Sequence, residues 1–302
     1  MITWGATKVN KRKLLSLCVV VSLIIIGMAN YFHRHPMVVL NPAGVVAYKE
    51  RNLIYVALAL STIVVIPVFI LLFGFAWKYR ESNHKAKYQP NWDHNRTAET
   101  IWWVMPVLLI SVLGVIAWNS SHDLDPYKAL VSDKQPLQVQ VVALDWKWLF
   151  IYPQQHIASV NFIQFPVNTP INYTITSDAP MNSLWIPALG GQVYAMTGMS
   201  TQLHLMANKI GDFEGSSANI SGKGFAGMKF IARSSSATDF DQWVASIKRT
   251  PSVLDQAGYA ALAQPSESNP ASFYGSISDN IYDSVIMKYM APGSTSASGM
   301  GM

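Results

Sequence analysis

The stretch Leu53–Trp77, LIYVALALSTIVVIPVFILLFGFAW, runs for 25 residues without a charged side chain. A helix crosses the hydrocarbon core of a bilayer with about 20 apolar residues, so this segment spans with room for tilt. A second uncharged run, Ile101–Trp118, is 18 residues long and just spans. Pro67 and Pro106 lie inside these runs. Membrane helices tolerate proline, so neither assignment is interrupted. Together the two runs predict a transmembrane hairpin within residues 33–118.

A third apolar run, Leu14–Phe32, follows the basic residues Lys8, Lys11, Arg12 and Lys13. Residues 1–32 therefore have two readings. A basic n-region, an apolar stretch and the small residues Gly27 and Ala29 fit a signal peptide cleaved after Ala29. The same stretch is long enough to stay as an N-terminal anchor helix. Cys18, the single cysteine, follows Leu17 rather than the small residue that a lipidated cysteine needs. One cysteine also excludes an internal disulfide and any cysteine-based zinc or iron–sulfur site.

Charge gives the orientation. Lys78, Arg80, Lys85, Lys87 and Arg96 crowd the loop between the two spans, which places that loop and the basic N-terminus in the cytoplasm. Everything after Trp118 then lies outside, in the periplasm of a two-membrane bacterium. Charged residues make up only 13% of the chain, against about a quarter in soluble domains. The net charge of +5 is spread without a dense basic block, which argues against nucleic-acid binding.

Beyond a linker at 119–135 the pattern changes to period two. Leu137–Val142, Ile171–Ile175, Thr201–Leu205 and Met228–Ile231 read as short strands between Pro and Gly turns, the pattern of a β-sandwich or barrel over 119–250. Thr238–Arg249 reads as a helix with Phe240, Trp243, Val244 and Ile247 on one face. Residues 251–302 are expected to form a C-terminal helical extension, with a helix near 252–263, and a flexible Gly/Ser/Met tail after Pro292.

Four motifs in order sharpen this outline: Phe75-Ala76-Trp77-Lys78-Tyr79-Arg80; Glu99-Thr100-Ile101-Trp102-Trp103-Val104-Met105-Pro106; Asp145-Trp146-Lys147-Trp148 running on to Pro153; and Asn182-Ser183-Leu184-Trp185-Ile186-Pro187. From about residue 42 to about residue 250 the chain resembles subunit II of the haem–copper respiratory oxidases. The resemblance implies a cupredoxin-like β-barrel carried on two membrane helices.

In the cytochrome c oxidases of that family the barrel holds a two-copper centre. Its ligands come from a His in an H-S-x-W-I-P segment and from a later C-x-E-x-C-G-x-x-H-x-x-M segment. Soft thiolates bridge the copper ions, and imidazoles and a thioether complete the shell. Here Asn182 stands in place of the first His. Ser217 and Ser221 take the cysteine positions, Asn219 the glutamate and Phe225 the second His; Met228 alone remains. Neutral hydroxyls cannot replace bridging thiolates. Loss of ligands on a retained scaffold is the pattern of the bo-type ubiquinol oxidases, which the chain also resembles at Tyr88–Trp92 and Met228-Lys229-Phe230.

That resemblance implies a non-redox subunit of a proton-pumping quinol oxidase in the bacterial inner membrane. Quinol oxidation, the haems and the oxygen-reducing copper would reside on partner subunit I, and this chain would bind no cofactor. Glu99, in the context E-x-x-W-x-x-P, occupies the position that lies in this family at the mouth of a proton-uptake channel. As a residue alone it reads as a carboxylate favourably placed at a helix N-terminus. Trp146 and Trp148 match electron-entry aromatics of copper-bearing relatives but read first as core filler. Met181, Met196, Met199, Met206 and Met228 read as gap-fillers rather than a Cu(I) site. His33, His35, His84, His94, His122, His156 and His204 show no ligand spacing. From a different class, a membrane-anchored periplasmic binding or copper-handling module would show a cleft lined with polar ligands.

Overall fold

The computed structural model describes residues 11–35, 37–87 and 93–290. The Tyr88–Trp92 motif, the first ten residues and the tail after Pro292 lie outside the described residues. The chain divides into two compact units, one of residues 1–40 and 52–121, the other of residues 41–51 and 122–302.

The first unit is helical. Helix α1 spans Lys11–Arg34, α2 Val45–Lys78 and α3 Arg96–Asp123. The apolar windows of α2 and α3 have mean hydropathies of 2.9 and 2.2, and none of their residues is buried within the chain. Uncharged helices with every face uncovered require lipid or a partner as solvent. Both helices continue through their prolines. At the exit of α2 the Arg80 guanidinium lies 4.4 Å above the Trp77 ring and donates to the Trp77 carbonyl at 2.9 Å. Such an amphipathic pair suits a membrane–water boundary.

The second unit is a two-sheet barrel. Its strands are β1 Leu137–Leu144, β2 Lys147–Tyr152, β3 Ile157–Val160, β4 Phe162–Pro166, β5 Ile171–Ser177, β6 Asn182–Trp185, β7 Val193–Ala195, β8 Thr201–Leu205, β9 Gly211–Ser217 and β10 Lys229–Ser235. Helix α4 (Ala237–Lys248) follows, then β11 (Val253–Leu254), α5 (Gln256–Leu262), β12 (Ser272–Tyr274), β13 (Ser276–Ile277) and α6 (Ile281–Met290). One sheet has the order β12-β3-β2-β1-β5-β8, and the facing sheet β4-β10-β9-β6-β7. The pairs β1–β5 and β4–β10 are parallel and the other pairs of these two sheets are antiparallel.

The expected alternation appears where one face meets the core and fails where both do. In β1, Leu137 and Val139 are buried while Gln138 and Gln140 are half-exposed, but from Val141 every residue is buried. In β2 all six residues are buried. Trp148, Phe150 and Tyr152 point into the core between the sheets, with Ile163, Phe165, Leu184 and Phe230. Leu149 and Ile151 point the other way, against Leu254, Tyr259, Ile281 and Val285 of the C-terminal segment. A strand covered on both faces reads as a continuous apolar run.

Two expected boundaries are corrected here. The extension 251–302 is not simply helical, and it is not an appendage. Besides α5 and α6 it supplies β12, which pairs antiparallel with β3 (Ser272 opposite Val160) and forms an edge of the six-stranded sheet. The helix expected at 252–263 is shortened to α5, because Val253-Leu254 pairs with Ser276-Ile277. Residues 41–51, assigned above to the hairpin, are stitched into the barrel unit. Ala43 N–H donates to Ala188 O (2.7 Å), Val45 N–H to Met206 O (3.1 Å) and Asn208 N–H to Ala43 O (2.8 Å). Gly44 permits this approach, since a Cβ there would sit 2.6 Å from the Leu189 carbonyl oxygen.

Candidate functional site

Of the six positions matched to copper ligands, Asn182, Ser217, Asn219 and Met228 meet at the end of the five-stranded sheet. Antiparallel pairing of β6 with β9 sets Leu184 opposite Ser217 and brings Ser217 beside Asn182. Asn182 is buried; its Nδ2 donates to Pro180 O at 2.7 Å, and its Oδ1 lies 3.0 Å from Ser217 Oγ. Ser217 Oγ also lies 3.1 Å from the Asn219 carbonyl, so its one proton serves one of these acceptors at a time. The same oxygen accepts from the amides of Ser183 and Asn219, each at 3.4 Å. Thus two of the positions matched above to copper ligands form a neutral amide–hydroxyl clasp between β6 and β9. Each such bond contributes about 0.5–1.5 kcal/mol net.

The rest of the loop is packed, not coordinating. Ser221 offers its carbonyl to Trp146 Nε1 at 3.1 Å. Its buried hydroxyl has no partner among the described residues. Phe225 is half-buried in a short 3₁₀ turn, Phe225–Gly227, and Met228 is fully buried in the sandwich core. Amide, hydroxyl and phenyl groups give no soft bridging donors, and one core thioether remains. This donor set does not fit a two-copper centre.

Trp146 anchors that loop. It sits in the β1–β2 turn at φ +60°, a left-handed backbone that tryptophan rarely adopts. Its ring packs against the loop so closely that a Cβ on Gly224 would fall 2.4 Å from the indole. Gly222 adopts φ +107° under the same ring. The turn strain is held by the indole hydrogen bond and by the two glycines. Gly224→Ala is therefore expected to destabilise the domain by about 1–3 kcal/mol, as over-packing does. Chemical denaturation of the purified protein checks this; an unchanged midpoint contradicts it. Trp148 is fully buried among core aromatics, 5.9 Å from the Phe230 ring.

Polar groups missed in the sequence lie just behind this loop. Lys147, 2% exposed, donates from Nζ to Gln264 O at 2.7 Å and to Ser266 Oγ. Burial pushes its ammonium pKa down, partly opposed by Asp145. Burial pushes Asp145 up, opposed by Lys147 and reinforced by Asp178. The Asp178 side chain is 1% exposed. One of its oxygens accepts from Tyr259 Oη, the other from Lys288 Nζ and Tyr289 Oη, all at 2.7 Å. A single carboxylate thus fastens α5 and α6 to the barrel. Burial, reinforced by the Asp178 charge, pushes both tyrosines well above their usual range. Sequence alone shows Asp178 only as a polar residue ahead of Ala179-Pro180, a turn signal.

Glu99 lies in the first turn of α3, apart from these groups in the chain. Asn95 caps that helix through Oδ1, which accepts the Ala98 amide at 3.0 Å. Glu99 Oε1 accepts the Asn95 amide at 3.3 Å and lies 2.8 Å from His94 Nδ1. The pairing with His94 had no sequence signal beyond proximity. Of the other histidines, His204 holds the linker, its Nδ1–H donating to Pro126 O at 2.9 Å. Among the methionines, Met181 and Met199 are exposed and Met196 and Met206 half-buried. Among the described residues no group of three or more His, Cys, Asp or Glu is placed to hold a metal.

Residues 132–235 match the family model described as cytochrome c oxidase subunit II, periplasmic domain. Residues 248–293 match the one described as COX aromatic rich motif, the segment that carries Tyr259, Tyr282 and Tyr289. A cytochrome bo(3) ubiquinol oxidase subunit 2 of Pseudomonas putida is 54% identical over 250 residues, covering 83% of this chain and 80% of that protein. The protein of the same name from Pseudomonas aeruginosa is 48% identical, covering 88% of this chain and 80% of its own length. A ubiquinol oxidase subunit 2 of Acetobacter aceti is 47% identical, covering 83% and 82%. With its two apolar helices, its cupredoxin-like barrel and its substituted ligand loop, the chain belongs to the oxidase subunit II family, in the branch of the ubiquinol oxidase subunit 2 proteins.

Proposed function

We propose that this chain is subunit II of a proton-pumping terminal ubiquinol oxidase and carries no redox centre of its own. The observation behind this reading is the Asn182–Ser217 clasp, an uncharged hydrogen-bonded pair where the wider family has copper donors. Without a soluble-side copper relay, electrons from quinol would reach the haems and oxygen-reducing copper of partner subunit I within the membrane. The barrel would cap the outer face, and the uncovered apolar helices α2 and α3 would pack against subunit I and lipid. Replacing Met228 by Leu keeps a core side chain of similar volume. In the purified complex Met228→Leu is expected to leave the copper-to-haem ratio unchanged. Loss of copper from the complex overturns the reading.

The same reading places the complex in the bacterial inner membrane, with the 78–96 loop cytoplasmic and the barrel periplasmic. Five basic residues in the loop support this orientation. In a Cys18→Ser background, a cysteine replacing the exposed Ser82 should resist an impermeant thiol reagent in intact spheroplasts, and one replacing the exposed Ser132 should react. The reverse labelling pattern contradicts the orientation. Glu99 then faces the cytoplasm at the foot of α3, where a carboxylate can pass protons toward subunit I.

A further inference from the structure

The barrel unit holds a cavity of about 490 Å³ that the oxidase reading does not use. This volume is in the range of small-molecule sites. Its walls are the first turns of α2, the 123–131 linker and the end of β8. The apolar part includes Val45, Val46, Leu203 and Met206, and the charged part is Lys49, Glu50, Asp123, Asp125 and Lys128. The Glu50 carboxylate is half-buried and accepts the Gly191 amide. Gly191 lies against this carboxylate: a Cβ there would lie 2.9 Å from Glu50 Oε1, which would have to shift. Lys128 is exposed and reaches Asp123 at 3.2 Å. The linker wall is held by the bond from His204 to Pro126.

Position in the chain matters as much as composition. Glu50 precedes the uncharged run that begins at Leu53, so it stands about 4.5 Å along the helix axis from it. Asp123 follows the run that ends at Trp118. Both ends belong at the outer membrane boundary if the spans lie in a bilayer, as the proposed function requires. Asp123 is paired with Lys128 and Asp125 accepts the Tyr127 amide, which leaves the Glu50 carboxylate, the Lys49 ammonium, a Lys128 shared with Asp123, and an apolar wall; together they complement a zwitterion attached to an acyl chain. We infer that this cavity binds the headgroup of an outer-leaflet aminophospholipid of the phosphatidylethanolamine type. Its ammonium would pair with Glu50, and its phosphate with Lys49 and Lys128. A purely anionic lipid leaves Glu50 opposed, and a choline headgroup cannot donate hydrogen bonds to it.

Native mass spectrometry of the purified complex, with this subunit ejected carrying its retained lipid, tests the inference. Phosphatidylethanolamine, phosphatidylcholine and phosphatidylglycerol are supplied singly at equal concentration. Retention of the ethanolamine lipid is expected to exceed that of the other two by about tenfold, the worth of one charge-assisted hydrogen bond. Glu50→Gln, which preserves an acceptor for Gly191, should collapse that preference to below about twofold, and Lys49→Gln should weaken ethanolamine and choline lipids alike. A cross-linker on a cysteine replacing the fully exposed Val131 should capture lipid. Preference for the glycerol lipid, a preference unmoved by Glu50→Gln, or capture of a partner subunit at Val131 each overturns the inference. The donor specificity of the oxidase is read separately, so failure here leaves the proposed function standing.

Discussion

Glu99→Gln is expected to slow quinol-driven oxygen consumption by about tenfold or more, less than the roughly 10²–10⁴-fold of a group that transfers the proton in the transition state. The complex should assemble with normal haem content. Glutamine is the informative change because it separates two roles. Its carbonyl can still accept the Asn95 amide, as Glu99 Oε1 does at 3.3 Å, so the helix start is retained. It cannot carry a proton between water and a partner. Glu99→Ala removes both roles; the loss of a favourable helix-dipole charge, about 0.3–1 kcal/mol, is common to the two variants. If both variants turn over at the wild-type rate with wild-type proton uptake, Glu99 is a capping residue paired with His94 and nothing more.

Asp178→Ala is expected to release the C-terminal segment from the barrel at a cost of about 1–3 kcal/mol, as when a buried acceptor is deleted and its donors are left unsatisfied. Three donors lose their acceptor together: Tyr259 of α5, and Lys288 and Tyr289 of α6. The second apolar cluster, Leu149 and Ile151 against Leu254, Ile281 and Val285, would open with them. Hydrogen exchange should quicken across 256–290 well before it does in β1 and β2. Asp178→Asn, which keeps an acceptor, should cost less. Unchanged protection of α5 and α6 in the alanine variant contradicts the latch.

Alkali should act on the same segment. Burial pushes Tyr282 up to about 12 from its ordinary 10.0, with the Ser200 hydrogen bond opposing and Asp283 reinforcing. A raised phenol pKa means the folded state holds its proton more tightly than the unfolded chain. The contribution is therefore complete below pH 10 and is lost as pH rises from 10 to 12. Protection factors at 281–290, with the base-catalysed intrinsic exchange rate divided out, should fall in that window and stay constant between pH 6 and 9.

The pair of long apolar helices was legible in the sequence because absence of charge over 18 or more residues is a strong signal. Its ends were not. Helix α2 begins at Val45, and Lys49, Glu50 and Arg51 are part of it. An uncharged window cannot show that a helix continues through charge into the barrel unit. Strand β5 alternates over its first four residues, Ile171 to Thr174, and was read as a strand from that alternation. Strand β2 does not alternate because α5 and α6 cover its second face, and nothing local announces that cover. Strands β11 and β13 have two residues each, too few to carry a period. The substituted ligand positions were visible only as a motif match. What replaced the ligands depends on the register between β6 and β9, which places Ser217 beside Asn182. Asp178 and Lys147 gain their meaning from groups more than 80 residues away in the chain, namely Tyr259, Gln264 and Lys288.

The central claim is that electrons enter this oxidase from quinol and not through the barrel. The direct measurement is oxygen consumption by the natively purified complex, supplied in turn with ubiquinol and with reduced cytochrome c. The account requires sustained turnover with ubiquinol and none above background with cytochrome c. Sustained turnover with cytochrome c, or failure with ubiquinol in a complex of intact haem spectrum, would contradict it.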